Sequence, residues 1–147
     1  MASIVPSGIP IERGKIHEFA NAILDDDPYY HDETFAKAQG HPSVVAPPTY
    51  LQVAAFFVEG LEAMLAELNL DLRFVLHGEQ AFFFNRPICA GDILVPEKGE
   101  VKEYEKQGRR GGTMRFIELE TLYRDQKGEI AARSLSTIIQ TGGVVSS

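Results

Sequence analysis

The sequence predicts an α+β fold in which an antiparallel sheet curls around one long helix. Three observations predict it. Helical periodicity is confined to the first half of the chain, one segment there is apolar around most of its circumference, and all that follows reads as strands separated by turn residues. A sheet with one face to bury and a helix with nearly all its surface to bury satisfy each other when the sheet wraps the helix. At 147 residues the chain is predicted to be a single domain over its whole length, with residues 1–10 and 142–147 as a loose lead and tail.

Residues 11–24 place Ile16, Phe19, Ala20 and Ile23 three and four positions apart, one face of a first helix. It runs into Asp25-Asp26-Asp27-Pro28, where the proline disfavours helical backbone at Asp27 and the acids suit a turn. Asp32 is the predicted N-cap of a short helix over 33–39, stopped by Gly40. Pro42, Pro47 and Pro48 make residues 40–49 an extended surface loop. The central helix is predicted over residues 50–68, YLQVAAFFVEGLEAMLAEL, with Thr49 as its cap. Gly60 inside it costs up to about 1 kcal/mol of helix propensity, which implies a close packing contact or a bend.

Strands follow over 75–85, 92–104, 113–123 and 129–140. In the third, Arg115, Ile117, Leu119, Thr121 and Tyr123 form the more apolar of the two alternating sets and are expected to face the core. It should form hairpins with the fourth through Asp125-Gln126-Lys127-Gly128 and with the second through the glycine-rich turn at 108–112. This arrangement is a hot-dog fold. Isolated hot-dog sheets leave strand edges exposed, so a dimer is expected.

Composition limits the functions open to such a domain. Asp plus Glu number 21 against 14 Lys plus Arg, a formal charge of -7, which argues against a nucleic-acid partner. A small basic patch remains possible at Arg109, Arg110 and Arg115, enough for an anionic carrier such as coenzyme A. The single cysteine, Cys89, has no disulfide partner and no companions for a metal cluster, so neither is expected. Neither a signal sequence nor a run of ~18 apolar residues is visible, so a cytoplasmic protein without a membrane span is expected.

The segment with most chemical content runs from Phe19-Ala20 through Asp25-Asp26-Asp27-Pro28-Tyr29-Tyr30-His31-Asp32 to Phe35-Ala36. It resembles the signature of the (R)-specific enoyl-thioester hydratases and MaoC-like dehydratases, in which Asp-x-Asn-Pro-aliphatic-His-x-Asp stands between two aromatic-Ala pairs. Two registers can be drawn. In one, His31 keeps the family spacing behind Asp26, but Pro28 stands where the family has Asn and Lys37 where it has a small residue. In the other, Asp25 takes the catalytic Asp position, Asp27 replaces Asn, and Pro28, Asp32, Phe19-Ala20 and Phe35-Ala36 all match. The second register has more matches, and it puts Tyr30 at the histidine position. A phenol that ionises near ~10 is a poor general base at neutral pH.

The chain further resembles the N-terminal MaoC-like dehydratase subunits at Glu12-Arg13-Gly14-Lys15-Ile16, Val45-Ala46-Pro47-Pro48-Thr49-Tyr50 and Arg86-Pro87-Ile88-Cys89-Ala90-Gly91-Asp92, so the similarity spans about residues 10 to 140. That resemblance implies a hot dog that accommodates the acyl chain of a coenzyme A or acyl carrier protein thioester, while a second hot-dog subunit supplies the Asp/His dyad. It implies a hydro-lyase without a cofactor of its own, with Asp25 and Tyr30 at the site and Ala46, Pro47, Pro48 and Thr49 bordering the pocket. A tunnel around the buried helix and the cluster Phe82-Phe83-Phe84 would suit the acyl chain. Two alternatives stand beside it: a self-sufficient homodimeric hydratase using Asp25 or Asp26 with His31, and a non-enzymatic acyl-thioester binder. Taken without the resemblance, three acids before a proline are a solvated helix end, Ala46 to Thr49 a stiff lead into a helix, and His31, His41 and His77 surface or structural residues.

Overall fold

The computed structural model describes residues 8–56, 65–108 and 112–142. Strand β1 (Ile9–Pro10) leads into α1 (Arg13–Ala22), the one-turn helix α2 (Pro28–His31) and α3 (Glu33–Ala38). A 3-10 segment, Tyr50–Phe56, follows, and then β2 (Val75–Phe84), β3 (Ile93–Gln107), β4 (Thr113–Arg124) and β5 (Ile130–Gln140). The sheet order is β1-β3-β4-β5-β2, with every pairing antiparallel. This is the hot-dog sheet expected, and both hairpins form where the turn residues placed them.

Alternation fixes which face is inward. Ile117 and Tyr123 of β4 are buried, as are Ala132, Ser134 and Ile138 of β5. The β2–β5 register pairs Phe82 with Ser134 and Phe84 with Ala132, so these two phenylalanines share the inner face, whereas Phe83 pairs with Arg133 on the other. The expected cluster of three is therefore split: Phe82 and Phe84 stack with centroids 6.4 Å apart, and Phe83 lies under the Arg133 guanidinium. A two-residue side-chain period allows no other outcome for consecutive strand positions.

Helix α1 buries Ile16 and Ala20 completely, but Ile23, expected on the same face, is 46% exposed because the helix stops at Ala22. The segment after it holds a second departure. After the turn expected at 25–28, residues 28–31 form a helical turn, with Pro28 in the first position and the Asp27 carboxylate accepting from the Tyr29 amide at 3.0 Å. Proline is pre-set for that position and lacks the amide proton that would be orphaned there. Asp32 caps α3 as expected, its Oδ1 accepting from the Phe35 amide.

The start of the expected central helix, Tyr50–Phe56, is wound as a 3-10 helix. It begins at Tyr50, as expected, with the Tyr50 amide donating to the Pro47 carbonyl. Residues 57–64, including Gly60, lie outside the described residues, as do Arg109 and Arg110 of the expected basic patch. The third member, Arg115, is held by the Glu103 carboxylate and the Leu68 carbonyl. Among the described residues no helix is long and apolar enough to cross a membrane.

Candidate functional site

Two segments that the sequence singles out, 25–31 and 46–49, are tied together by the backbone. The Val45 amide donates to the Tyr29 carbonyl at 2.9 Å. The same loop forms a short antiparallel bridge with the 88–90 segment: Ala46 donates to the Ile88 carbonyl and Ala90 to that of Val44. This places Ala46 and Pro47 in the core, while Pro48 and Thr49 remain exposed.

The bend after α1 is built by its own acids. Leu24 sits in the left-handed region with φ 58°, and its side chain is 92% exposed. The Asp25 amide donates back to Ala20, and the Asp25 carboxylate accepts from the Asp27 amide at 3.2 Å. Asp25 and Asp27 are half-buried and Asp26 is exposed. Such side-chain-to-backbone bonds are what short acids do at turns, so they account for part of the Asp-Asp-Asp run without catalysis.

Tyr30 and His31 face different surroundings. Tyr30 is half-buried and packs against the core cluster that includes Ile16, Val44, Ala46 and Tyr50. Burial raises the ionisation of its phenol, and the nearby Asp25 and Asp27 charges raise it further. At neutral pH the hydroxyl therefore keeps its proton and can donate a hydrogen bond, but cannot serve as a base. The His31 ring is held at both nitrogens: Nε2 lies 2.8 Å from the Asp25 main-chain oxygen and Nδ1 lies 2.7 Å from Nδ1 of His17. Its partner at Asp25 is thus the carbonyl, not the carboxylate. Sequence reasoning passed over His17, whose only signal is its place one residue after the buried Ile16 on α1.

The remaining histidines play other parts. His41 packs edge-on against Tyr29, and His77 is exposed on β2. A groove of about 440 Å³ is lined by Pro10, Lys15, Phe19, Tyr50 and Val53, with Glu12 and Glu18 at its rim; neither Asp25 nor Tyr30 lines it. Asp92 accepts from both terminal nitrogens of Arg86 and from the Cys89 amide. Arg86 also reaches Asp125, which is 7% exposed. These contacts lock the loop beside the 44–46 bridge and are structural. Among the described residues no group of three or more His, Cys, Asp or Glu side chains is placed to hold a metal ion.

The antiparallel sheet and the helices before it define the class as that of hot-dog proteins, with Asp25 and Tyr30 on the bend after the first helix. The chain belongs to the family described as FAS1-like, dehydratase domain region, which it matches over residues 2–134. A UPF0336 protein of Parafrankia sp. is 35% identical over 138 residues, covering 92% of this chain and 88% of that one. A UPF0336 protein of Streptomyces coelicolor is 45% identical over 92 residues, and the match spans 61% of each chain, under two thirds of that relative's length. Among solved structures, the HadBC (3R-hydroxyacyl-ACP dehydratase) complex from Mycobacterium tuberculosis superposes with a TM-score of 0.70 at 24% identity, covering 91% of this chain and 90% of that one. A MaoC-like dehydratase gives a TM-score of 0.72 at 24% identity, covering 92% of this chain and 39% of the other. These two likenesses show the shared fold.

Proposed function

We propose that this chain is the acyl-binding subunit of a 3-hydroxyacyl-thioester dehydratase or (R)-specific enoyl-thioester hydratase, working beside a second hot-dog subunit that supplies the Asp/His dyad. The observation that carries the reading is the pair of environments at Tyr30 and His31. Adding water across an enoyl thioester needs a base for the water, a proton for the α-carbon and a donor that polarises the thioester carbonyl. Tyr30 retains its proton and can act as such a donor. His31 has both nitrogens engaged, one by a backbone carbonyl, so it offers no free lone pair to a water. Neither of these two side chains supplies the base, which supports a second subunit as its source.

An edge of the sheet supports this reading. Strand β2 stands at the end of the sheet order, with β5 as its neighbour. Its ten residues, VLHGEQAFFF, contain one charge and no proline, the devices that ordinarily blunt an edge. That edge suits pairing with another sheet, and the substrate would arrive on coenzyme A or acyl carrier protein. The test is hydration of crotonyl-CoA and longer enoyl-CoA thioesters by the purified chain, alone and mixed with a candidate hot-dog subunit. Activity that appears only in the mixture supports the proposal. Turnover by the chain alone, lost in His31→Ala and kept in Tyr30→Phe, would instead assign the reaction to a self-sufficient homodimer. Thioester binding without turnover alongside any subunit would leave a binding protein.

A further inference from the structure

The bend that carries Asp25 and Tyr30 is closed on its α1 side by main-chain bonds: Leu24 takes a left-handed backbone, its amide donates to the Asn21 carbonyl and the Asp25 amide to that of Ala20. The Asp25 carbonyl, where the chain leaves the helix, remains to be held. The chain of two imidazoles beside it is placed to do this. A carbonyl oxygen only accepts, so the 2.8 Å contact between His31 Nε2 and the Asp25 oxygen puts a proton on Nε2. In the neutral ring Nδ1 then carries only a lone pair. With that ring, the 2.7 Å contact makes His17 Nδ1 the donor. The two rings meet at 90°, with centroids 4.7 Å apart.

We propose that His17 and His31 form a strut in which His17, protonated on Nδ1, holds the ring of His31, and His31 holds the main-chain carbonyl of Asp25, thereby positioning the bend. The positioning role rests on the reading of that bend as the thioester site, whereas the proton assignment does not. His17 is well founded for this: it follows the fully buried Ile16 on a ten-residue helix that also buries Ala20. His31 closes α2, so the strut spans the bend from its rigid side to its far end. The neutral Nδ1-protonated form demanded of His17 is the less favoured one for a free histidine side chain, which makes it diagnostic. Metal binding is the weaker use of the pair, because no third ligating side chain joins it among the described residues.

The test uses the full ¹⁵N-labelled chain at pH 8. Long-range ¹H–¹⁵N spectra should show His31 protonated on Nε2 and His17 on Nδ1. His17→Phe keeps a ring edge without a donor and alters an exposed side chain. Loss of one hydrogen bond should speed exchange of the Asp27 amide, which is bonded to the Asp25 carboxylate, by about fivefold and weaken binding of octanoyl-CoA by about as much. His17→Gln, whose amide can donate at the same place, should restore both. A wild-type His17 protonated on Nε2, or Asp27 exchange unchanged in His17→Phe, would overturn the strut. If tautomers and exchange behave as expected but octanoyl-CoA does not bind the wild-type chain, the site reading fails and the strut stands.

Discussion

A single hydroxyl separates Tyr30 from phenylalanine, and on the proposed function its worth is a hydrogen bond to the substrate rather than packing. Tyr30→Phe should therefore leave thermal stability unchanged while weakening octanoyl-CoA binding about fivefold, measured by calorimetric titration, in keeping with the net value of one hydrogen bond. Arg86 is the opposite case, a residue whose polar groups are spent on the fold. It holds Asp92 at 2.8 Å and Asp125 at 3.1 Å. Arg86→Met removes the shared partner and leaves two carboxylates facing each other's neighbourhood, one of them almost wholly buried. The expected result is a Tm lower by roughly 5 °C in a thermal melt. Both substitutions keep side-chain bulk, so each reads the polar group alone.

At the scale of elements, the sheet depends on its turns and its free edge. Gly128, in the β4–β5 turn, has φ 80°, and a Cβ there would meet no atom within 4 Å. Gly128→Ala should thus cost about 1 kcal/mol in urea denaturation from backbone strain alone. Gly78 differs, because a Cβ would come within 2.7 Å of Ile139 Cδ1, where the β2–β5 register shifts. Strand β2 carries the prediction about assembly. If a second hot-dog sheet adds to its edge, mixing the two subunits should slow amide exchange along 75–84 by at least about tenfold, read by hydrogen-exchange mass spectrometry, with the β3–β4 hairpin unaffected.

The whole molecule carries a formal charge of -7, and several of its carboxylates are stabilised in ionised form. The Arg86 hydrogen bond and the Lys127 and Glu129 amides hold the Asp125 carboxyl below its usual range, and Ser43 and Lys37 do the same for Glu33. Their folded-state pKa lies below the unfolded one, so this stabilisation is complete above roughly pH 4–4.5 and is lost as pH falls through the folded values. Denaturant midpoints should fall below that pH, and less steeply in Arg86→Met.

Strand limits, both hairpins, the inward set of β4 and the Asp32 cap were legible in the sequence, because alternation, turn residues and caps act over a few neighbouring residues. The helical turn at Pro28 was hidden, since its proline and acids also spell a loop, and the actual winding is chosen by the Tyr29–Val45 and Asp27 bonds. At the bend, the sequence by itself determined which residues follow the first helix. Tertiary structure alone decided that Tyr30 lies against the core while His31 turns to His17, fourteen residues away. Local pattern specifies which face of a helix or strand is apolar, but the partner of a polar ring is set by which distant element packs beside it, and that is a property of the folded chain.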